Sequence, residues 1–236
     1  MFKVRTVMLA LVAVFVVSAA SATVALAQEG PQWKVNGKQL TSRNETRALK
    51  DKNQTGTVAK LSSKIGGAAV VIVCKTVASS GIIIGGNPGL NREEIKFTEC
   101  EVEGQPKCVV EEPIIVKAKS ILAHVVGSSK MLVEFSPETG STFTTIKITG
   151  TGCLAKVTAN VTLATGASFG VACEVVKEEE EVEVGELHCP TTAITEDEQE
   201  GVRRTGGLLL GSEAATFSAQ IDVELMPKEK FGIFQT

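Results

Sequence analysis

The strongest constraint on the fold is a two-residue alternation of apolar and polar side chains that recurs along the chain. It is clearest in 216–225, TFSAQIDVEL. The apolar face of that stretch consists of Phe217, Ala219, Ile221, Val223 and Leu225. Successive side chains of a β-strand point to opposite faces, so this period predicts strands with one face buried. Such runs recur every ~8 to 12 residues between Gly, Pro and Asn, which predicts an all-β, antiparallel sandwich or barrel-like domain.

Local signals refine this expectation. WKVNGKQL, 33–40, predicts a β-hairpin, because Asn36 and Gly37 tolerate the positive φ angles of a type I′ turn. At most one short helix is expected. The segment 114–126 has an ambiguous period and is the strongest helix candidate, and the polar segment 41–56 is either a loop or one short helix.

The first 27 residues have the features of a signal peptide. Lys3 and Arg5 precede a long uncharged apolar run, and small residues end it at Ala27. This pattern predicts cleavage after Ala27, secretion or display at the cell surface, and no stable membrane insertion of the remaining chain. Residues 28–236 are expected to form a single all-β domain, with a possible subdomain break near 127–130.

All six cysteines lie after the expected signal peptide, and their even number in an exported chain predicts three disulfides. Symmetric spacing about hairpin centres favours Cys100–Cys108 and Cys173–Cys189, which leaves Cys74–Cys153. The main alternative pairs Cys74 with Cys100 and Cys108 with Cys153. No cysteines have the close spacing typical of zinc sites, so neither a metal site nor a cofactor is predicted.

Charge excludes one class of partner. Removing Lys3 and Arg5 with the signal peptide leaves 22 of the 24 basic residues against 27 acidic ones, a net charge of −5. A general nucleic-acid-binding protein needs a basic surface, so no nucleic-acid partner is expected. Residues 31–64 nevertheless carry eight basic and two acidic residues, which leaves open an anionic-polymer site. Its candidate residues are Lys34, Lys38, Arg43 and Arg47.

The acidic counterpart of that segment is CEVVKEEEEVEVGELHC, 173–189. Its four successive glutamates, which could attract a cation, are Glu178, Glu179, Glu180 and Glu181. Calcium loops place Asp, Asn and Gly at fixed offsets, and that spacing is absent here. The preferred interpretation is a hairpin with a charged tip, with Val182 and Val184 on the returning strand.

GASFG, 166–170, fits the G-x-S-x-G pattern of hydrolase nucleophiles. That motif requires a strand, a sharp turn and a helix around the serine, with an acid and then a histidine downstream. Strand-like alternation follows Ser168 instead, and His188 is the only downstream histidine. Ser168 is therefore predicted to be non-catalytic, in a hairpin turn between the strands 156–163 and 168–175.

Aromatic composition argues against a sugar-binding surface, because flat sugar faces usually stack on Trp or Tyr. The chain has one Trp, no Tyr and nine Phe. Trp33 is expected to cover the end of a sheet. The phenylalanines expected in the core are Phe97, Phe135, Phe143, Phe169 and Phe217.

The chain resembles a group of uncharacterised secreted proteins of high-GC Gram-positive-type bacteria. The resemblance is carried by WKVNGKQL, VIVCKT, FTECEV, FSPETGSTFTTIKITGTGC and GSEAATFSAQIDVEL. It implies an exported, β-rich, disulfide-containing domain, and no site residue is implied by it.

These observations together predict a secreted, non-catalytic β-domain that acts at or outside the cell envelope as a binding or structural protein, with an envelope or extracellular partner. Two alternatives stay open. One is a secreted hydrolase with an atypical site, and the other is an anionic-polymer-binding module that uses residues 31–64.

Overall fold

A computed structural model describes residues 30–128, 130–176, 180–199 and 202–234. The predicted signal peptide, 1–27, lies outside these residues. The described part of the chain contains strands and turns and no helix, and it carries three disulfides, which confirms the predicted all-β, disulfide-stapled fold. The strands are β1 (Gln32–Val35), β2 (Lys38–Gln39), β3 (Thr46–Asn53), β4 (Ala59–Ile65), β5 (Ala68–Ile84), β6 (Leu90–Val102), β7 (Val109–Val110), β8 (Ile114–His124), β9 (Met131–Pro137), β10 (Thr142–Thr149), β11 (Val157–Leu163), β12 (Val171–Val175), β13 (Val184–Cys189), β14 (Glu196–Gln199), β15 (Val202–Thr205), β16 (Leu208–Leu210), β17 (Glu213–Met226) and β18 (Phe231–Phe234).

Eight of these strands close into a ring, hereafter the strand ring. They are hydrogen-bonded in the order β3–β5–β6–β8–β9–β12–β13–β17, and β17 pairs with β3 to complete the circle. Every pairing in the ring is antiparallel. Closure leaves none of the eight strands as an open edge, so this is a barrel-like arrangement.

Two smaller sheets cover the ends of the strand ring. The plug sheet consists of β1, β2 and β18, and its Trp33, Val35 and Phe231 pack against ring residues at one end. The end sheet consists of β16, β11, β10 and β7, and it extends from the first half of β17. Strand β4 pairs with the first halves of β5 and β17. The long strands β5 and β17 therefore run through both the ring and the region beside the end sheet.

The predicted hairpin at 33–40 is confirmed as β1–β2, with Asn36 at φ 49° and Gly37 at φ 80°. Trp33 covers the end of the ring and donates its Nε1–H to the Leu90 carbonyl at 2.8 Å. The alternating face of 216–225 is also confirmed, since Ala219, Val223 and Leu225 are buried.

Both helix expectations are wrong. The segment 114–126 contains β8, which is hydrogen-bonded to β6 on one side and β9 on the other. Its period is ambiguous because both of its faces are partly buried: Leu122 points into the ring, and Ala123 packs against a cluster outside it. The segment 41–56 contains β3, which lies between β5 and β17 and whose Lys50 and Lys52 face outward.

Two of the three disulfides differ from the pairing that the sequence favours. The structure joins Cys74 to Cys100, Cys108 to Cys153, and Cys173 to Cys189. The last bridge was expected, and the other two are the alternative pairing.

Cys100–Cys108 assumed a hairpin centred on Gly104, but β6 pairs with β5 and β8, whereas β7 pairs with β10. Cys74 and Cys100 instead lie directly opposite each other on β5 and β6. The remaining prediction, Cys74–Cys153, fails because Cys74 is already bridged on its neighbouring strand.

The segment near 127–130 is the turn of the β8–β9 hairpin. The Val125 N–H donates to the Lys130 carbonyl at 2.9 Å, and the flanking strands are neighbours in the ring. This position therefore joins two strands of one closed sheet.

Candidate functional site

The interior of the strand ring contains an apolar cavity of about 130 Å³. It lies between inward-facing ring residues and residues of the end sheet. The ring side chains around it include Val77, Ile95, Phe97, Phe135 and Ile221, and the end sheet contributes Phe143, Ile146, Val161 and Leu208. The disulfide Cys173–Cys189 also lies in its wall. A cavity of similar size in another protein binds benzene, so the volume suits a small molecule.

Two carboxyl groups lie together in the wall of this cavity, and we call them the inner acid pair. Asp51 is on β3 and Glu93 is on β6, with β5 between them. Glu93 is only 6% exposed. Gly81 on β5 lies opposite Glu93, and an added Cβ there would clash with the Arg92 carbonyl oxygen. A glycine is therefore required where β5 and β6 approach each other beside the pair.

Neighbouring polar groups satisfy part of the pair. Ser79 Oγ donates to Asp51 Oδ2 at 2.6 Å, and Asn91 Nδ2 donates to Glu93 Oε1 at 3.3 Å. Asp51 Oδ1 is buried and accepts no hydrogen bond from a donor group of the described residues. Burial first, and then the adjacent Glu93 carboxyl, raise the pKa of Asp51 well above its usual range. A proton is therefore retained between the two carboxyl groups at pH values where surface aspartates are ionised.

No cation compensates the inner acid pair within the described part of the chain. Neither Asp51 nor Glu93 forms a salt bridge there. Lys60 reaches the cavity wall, but its Nζ contacts Glu103 Oε1 at 3.2 Å. A buried charge without a partner is costly, so this arrangement needs either a retained proton or a cation from outside the chain.

A second cavity of about 30 Å³ lies on the other side of Asp51, towards the plug sheet. Asn91 lines it, and Asn91 Oδ1 is buried without a hydrogen-bond partner among the described residues. Ser120 is the cross-strand neighbour of Asn91, and its Oγ is likewise buried and unpaired. The ring interior thus holds a belt of polar groups between two apolar regions, with acceptor oxygens left unused.

A different acid cluster lies outside the ring, between the outer face of β9 and the β14–β15 hairpin, and we call it the outer acid cluster. It consists of Glu134, Asp197 and Arg204. Both acids are 0% exposed. Arg204 Nη1 lies 2.8 Å from Glu134 Oε2, and Arg204 is the cross-strand neighbour of Asp197. Burial raises the pKa of Asp197 to about 6, and the Arg204 charge limits that rise.

Ser168 and His188, the two residues considered for a hydrolase site, lie towards opposite ends of β12. The Ser168 N–H donates to the Thr205 carbonyl at 2.7 Å, and its side chain is exposed just before β12. His188 pairs with Glu174 towards the other end of β12, and its Nε2 contacts Gln220.

The predicted hairpin around Ser168 is wrong. Strand β11 pairs with β10 and β16, whereas β12 pairs with β9 and β13. The turn at Gly166 is present, with φ 80°, but it carries the chain from the end sheet to the ring. Phe169, which is 0% exposed, anchors that crossing beside Gly206.

The predicted hairpin within 173–189 is confirmed as β12–β13, and Val184 begins its returning strand. Val182 was expected on that strand but lies before it and bridges to Phe231. Glu178 and Glu179 lie outside the described residues. Glu181 accepts hydrogen bonds from the Gly37 N–H through both carboxylate oxygens, at 2.8 and 2.9 Å. The Glu180 carbonyl lies close to Gly232 of the plug sheet. Within the described ranges, no three His, Cys, Asp or Glu side chains are grouped as a metal ion would require.

The four basic candidates each have a partner within the chain. Lys34 Nζ lies 4.3 Å from the centre of the Phe234 ring. Lys38 pairs with Glu45, and Arg47 Nε lies 3.2 Å from Glu229 Oε2. Arg43 Nη1 donates to the Gly85 carbonyl at 3.2 Å. Lys34, Lys38 and Arg47 lie on β1, β2 and β3, and Arg43 lies in the turn between β2 and β3.

Sequence reasoning missed the inner acid pair, although a signal for it exists. Glu93, Ile95 and Phe97 alternate along β6, so Glu93 occupies a position of the apolar face. Asp51 occupies the same face of β3 as Leu49. A charged residue in phase with apolar ones marks a buried polar site, but one strand alone does not show which other strand meets it.

Comparison with known proteins gives no match: no family model, no curated protein and no solved structure is similar to the chain. In the ranges that the structure describes, no helix has the length and apolar character needed to cross a membrane.

Proposed function

We propose that this protein is an exported, non-catalytic binding protein of the cell envelope or extracellular space, and that its ligand occupies the cavity of the strand ring. The observation that carries the proposal is the cavity itself, an apolar space of about 130 Å³ with unpaired polar oxygens in and beside its wall. Binding sites for small molecules are typically apolar cavities with a few polar groups that orient the ligand.

Three disulfides support the export part of the proposal, because such bonds persist in oxidising compartments. The exposed position of Ser168 and its separation from His188 along β12 favour binding over hydrolysis. The intramolecular partners of the basic candidates favour a cavity ligand over an anionic polymer.

Toluene is the probe that tests the cavity. We expect toluene to change the amide NMR signals of Ile95, Phe97 and Phe135 in the purified protein, with saturation. Ala118 is 1% exposed and lines the cavity, so Ala118→Leu is expected to fill it and abolish these changes. Ala78→Leu adds the same side chain at an exposed position of β5 and serves as the control. Absence of saturable toluene binding to the folded protein would refute the cavity as a ligand site.

Export has its own test. Protein recovered from culture medium is alkylated without reduction and mapped by mass spectrometry. We expect a chain that starts at Gln28 with no alkylated cysteine. A retained N-terminus with several free thiols would contradict the proposed compartment.

A further inference from the structure

We infer that the ligand of the cavity is a small apolar molecule carrying a protonated amine, and that the inner acid pair, Asp51 and Glu93, binds its ammonium group. This inference rests on the proposed function, since it specifies the chemistry of the molecule that fills the same cavity.

Charge is the first argument. Two carboxyl groups face the ring interior, and no cation of the described chain pairs with either of them. The outer acid cluster shows the usual solution, in which Arg204 lies 2.8 Å from a buried glutamate. A ligand ammonium would supply to the inner pair the charge that Arg204 supplies outside the ring. A ligand carboxylate would instead add a third acid to the site.

Hydrogen bonding is the second argument. Among the described residues of the ring interior, the oxygen atoms without a hydrogen-bond partner include Asp51 Oδ1 in the cavity wall, Asn91 Oδ1 in the smaller cavity and Ser120 Oγ beside it. Asn91 Oδ1 can only accept hydrogen bonds, and Asp51 Oδ1 becomes an acceptor only once an ammonium group has displaced the proton held between the two acids. An ammonium group has three hydrogen-bond donors and no acceptor, so it suits a site whose acceptor oxygens have no donor. A pure hydrocarbon would fill the same space but leave these oxygens unpaired, and each unpaired buried group is costly.

Size is the third argument. The cavity of about 130 Å³ is slightly smaller than the ~150 Å³ cavity that holds benzene in another protein. The apolar body of the ligand is therefore about one six-membered ring or a short branched chain. Phe97 and Phe217 meet edge to face in the wall, with ring centroids 5.9 Å apart, which provides an aromatic surface for that body.

The test compares benzylamine, benzyl alcohol, toluene and benzoate, which share one ring and differ in the polar group. Binding to the purified protein at neutral pH is measured by calorimetry and by the fluorescence of Trp33, the single tryptophan, which lines the smaller cavity. We expect benzylamine to bind at least tenfold more tightly than benzyl alcohol or toluene, and benzoate to bind least.

Variants then locate the ammonium site. Glu93→Gln and Asp51→Asn keep the size of each side chain and are expected to remove the tenfold preference for benzylamine without removing toluene binding. Glu94→Gln makes the same change on the next residue of β6. Its side chain is 52% exposed and faces Lys117, so the preference should be unchanged. Circular dichroism and toluene binding show whether each variant is folded with an intact cavity.

The outcomes separate the two proposals. Equal binding of benzylamine and toluene, unaffected by Glu93→Gln, would overturn the ammonium site while the cavity proposal stands. Failure of all four probes to bind the folded protein would refute the cavity proposal and this inference with it. A preference for benzylamine that survives both Asp51→Asn and Glu93→Gln would also overturn the assignment of these residues.

Discussion

The inner acid pair and the outer acid cluster bury carboxyl groups on opposite sides of one sheet. They differ in whether a basic side chain lies next to the acids. Glu134 and Asp197 lie outside the ring, and Arg204 lies between them. Asp51 and Glu93 lie inside it, and within the described part of the chain Ser79 and Asn91 are their side-chain donors. Buried acids with a cation next to them are part of the framework. Buried acids that have no neighbouring cation and that lie beside a cavity are better explained by a ligand that enters the cavity.

The largest effect is expected when the cation is removed from the outer acid cluster. Arg204→Met leaves Glu134 buried without compensation and should lower the free energy of unfolding by about 3 to 5 kcal/mol. Arg203→Met is the matched control, because Arg203 is exposed on the same strand and should change stability by less than about 0.5 kcal/mol. Urea denaturation measures both. Equal stability of the two variants would show that the cluster does not depend on Arg204.

A pH-dependent effect is expected at Asp197. Its pKa is about 6 in the folded protein and close to 3.8 when unfolded, so the folded state binds its proton more tightly. The contribution of this group to stability is therefore greatest below pH 4 and is lost as the pH rises through 6. Asp197→Asn does not titrate, so its stability relative to the native protein should increase by up to about 3 kcal/mol between pH 4 and 7. Parallel pH profiles of the two proteins in urea denaturation would contradict this prediction.

The two faces of β8 should differ in how well they tolerate a larger side chain, because one is tightly packed and the other faces the cavity. Ala123 is 0% exposed in the tightly packed cluster with Leu132, Phe169 and Ala172, and Ala123→Leu should cost about 1 to 3 kcal/mol. Ala118 faces the cavity on the other side of the same strand, and Ala118→Leu should be close to neutral. Thermal unfolding of the two variants compares them directly. An equal loss of stability would mean that the cavity has no room for three more carbon atoms.

A last effect is expected at Asp51, and it has the same sign as that of Asp197→Asn. Because the pKa of Asp51 is raised, its carboxyl group destabilises the folded state at neutral pH, where an unfolded aspartate would be ionised. Asp51→Asn removes that cost and should stabilise the protein at pH 7. The gain should shrink as the pH falls towards 4. A loss of stability at pH 7 would show that the inner acid pair is part of the framework after all.

Sequence reasoning identified most strands because the two-residue period is a local property. The sequence-based predictions failed where a strand is buried on both faces. Both faces of β8 are buried: Leu122 packs inside the ring, and Ala123 packs against the apolar residues Leu132, Phe169 and Ala172 outside it. The strand therefore lacks a simple alternation of apolar and polar residues. The prediction that a strand follows Ser168 is confirmed by β12. The strands before and after Ser168, however, pair with different neighbours, in the end sheet and in the ring.

The disulfides show the same limit. Cys173–Cys189 was predictable because both cysteines lie in one hairpin, where spacing along the chain determines which residues face each other. Cys74–Cys100 depends on how two long strands are aligned, and Cys108–Cys153 joins the loop between β6 and β7 to the loop between β10 and β11. Symmetric spacing about Gly104 could not distinguish a hairpin from a crossing between sheets.

The sequence by itself determined that the chain forms antiparallel strands, that Asn36 and Gly37 make a tight turn, and that Trp33 covers an end of the fold, because these follow from side-chain period and local backbone preference. Only the tertiary structure decided that β17 returns to β3 and closes the ring. The pairing of β3 and β6 with β5 places Asp51 and Glu93 side by side, and closure buries their face of the sheet inside the ring. The candidate site depends on that closure, since burial inside a ring changes the chemistry of a carboxyl group that would be ordinary on an open strand.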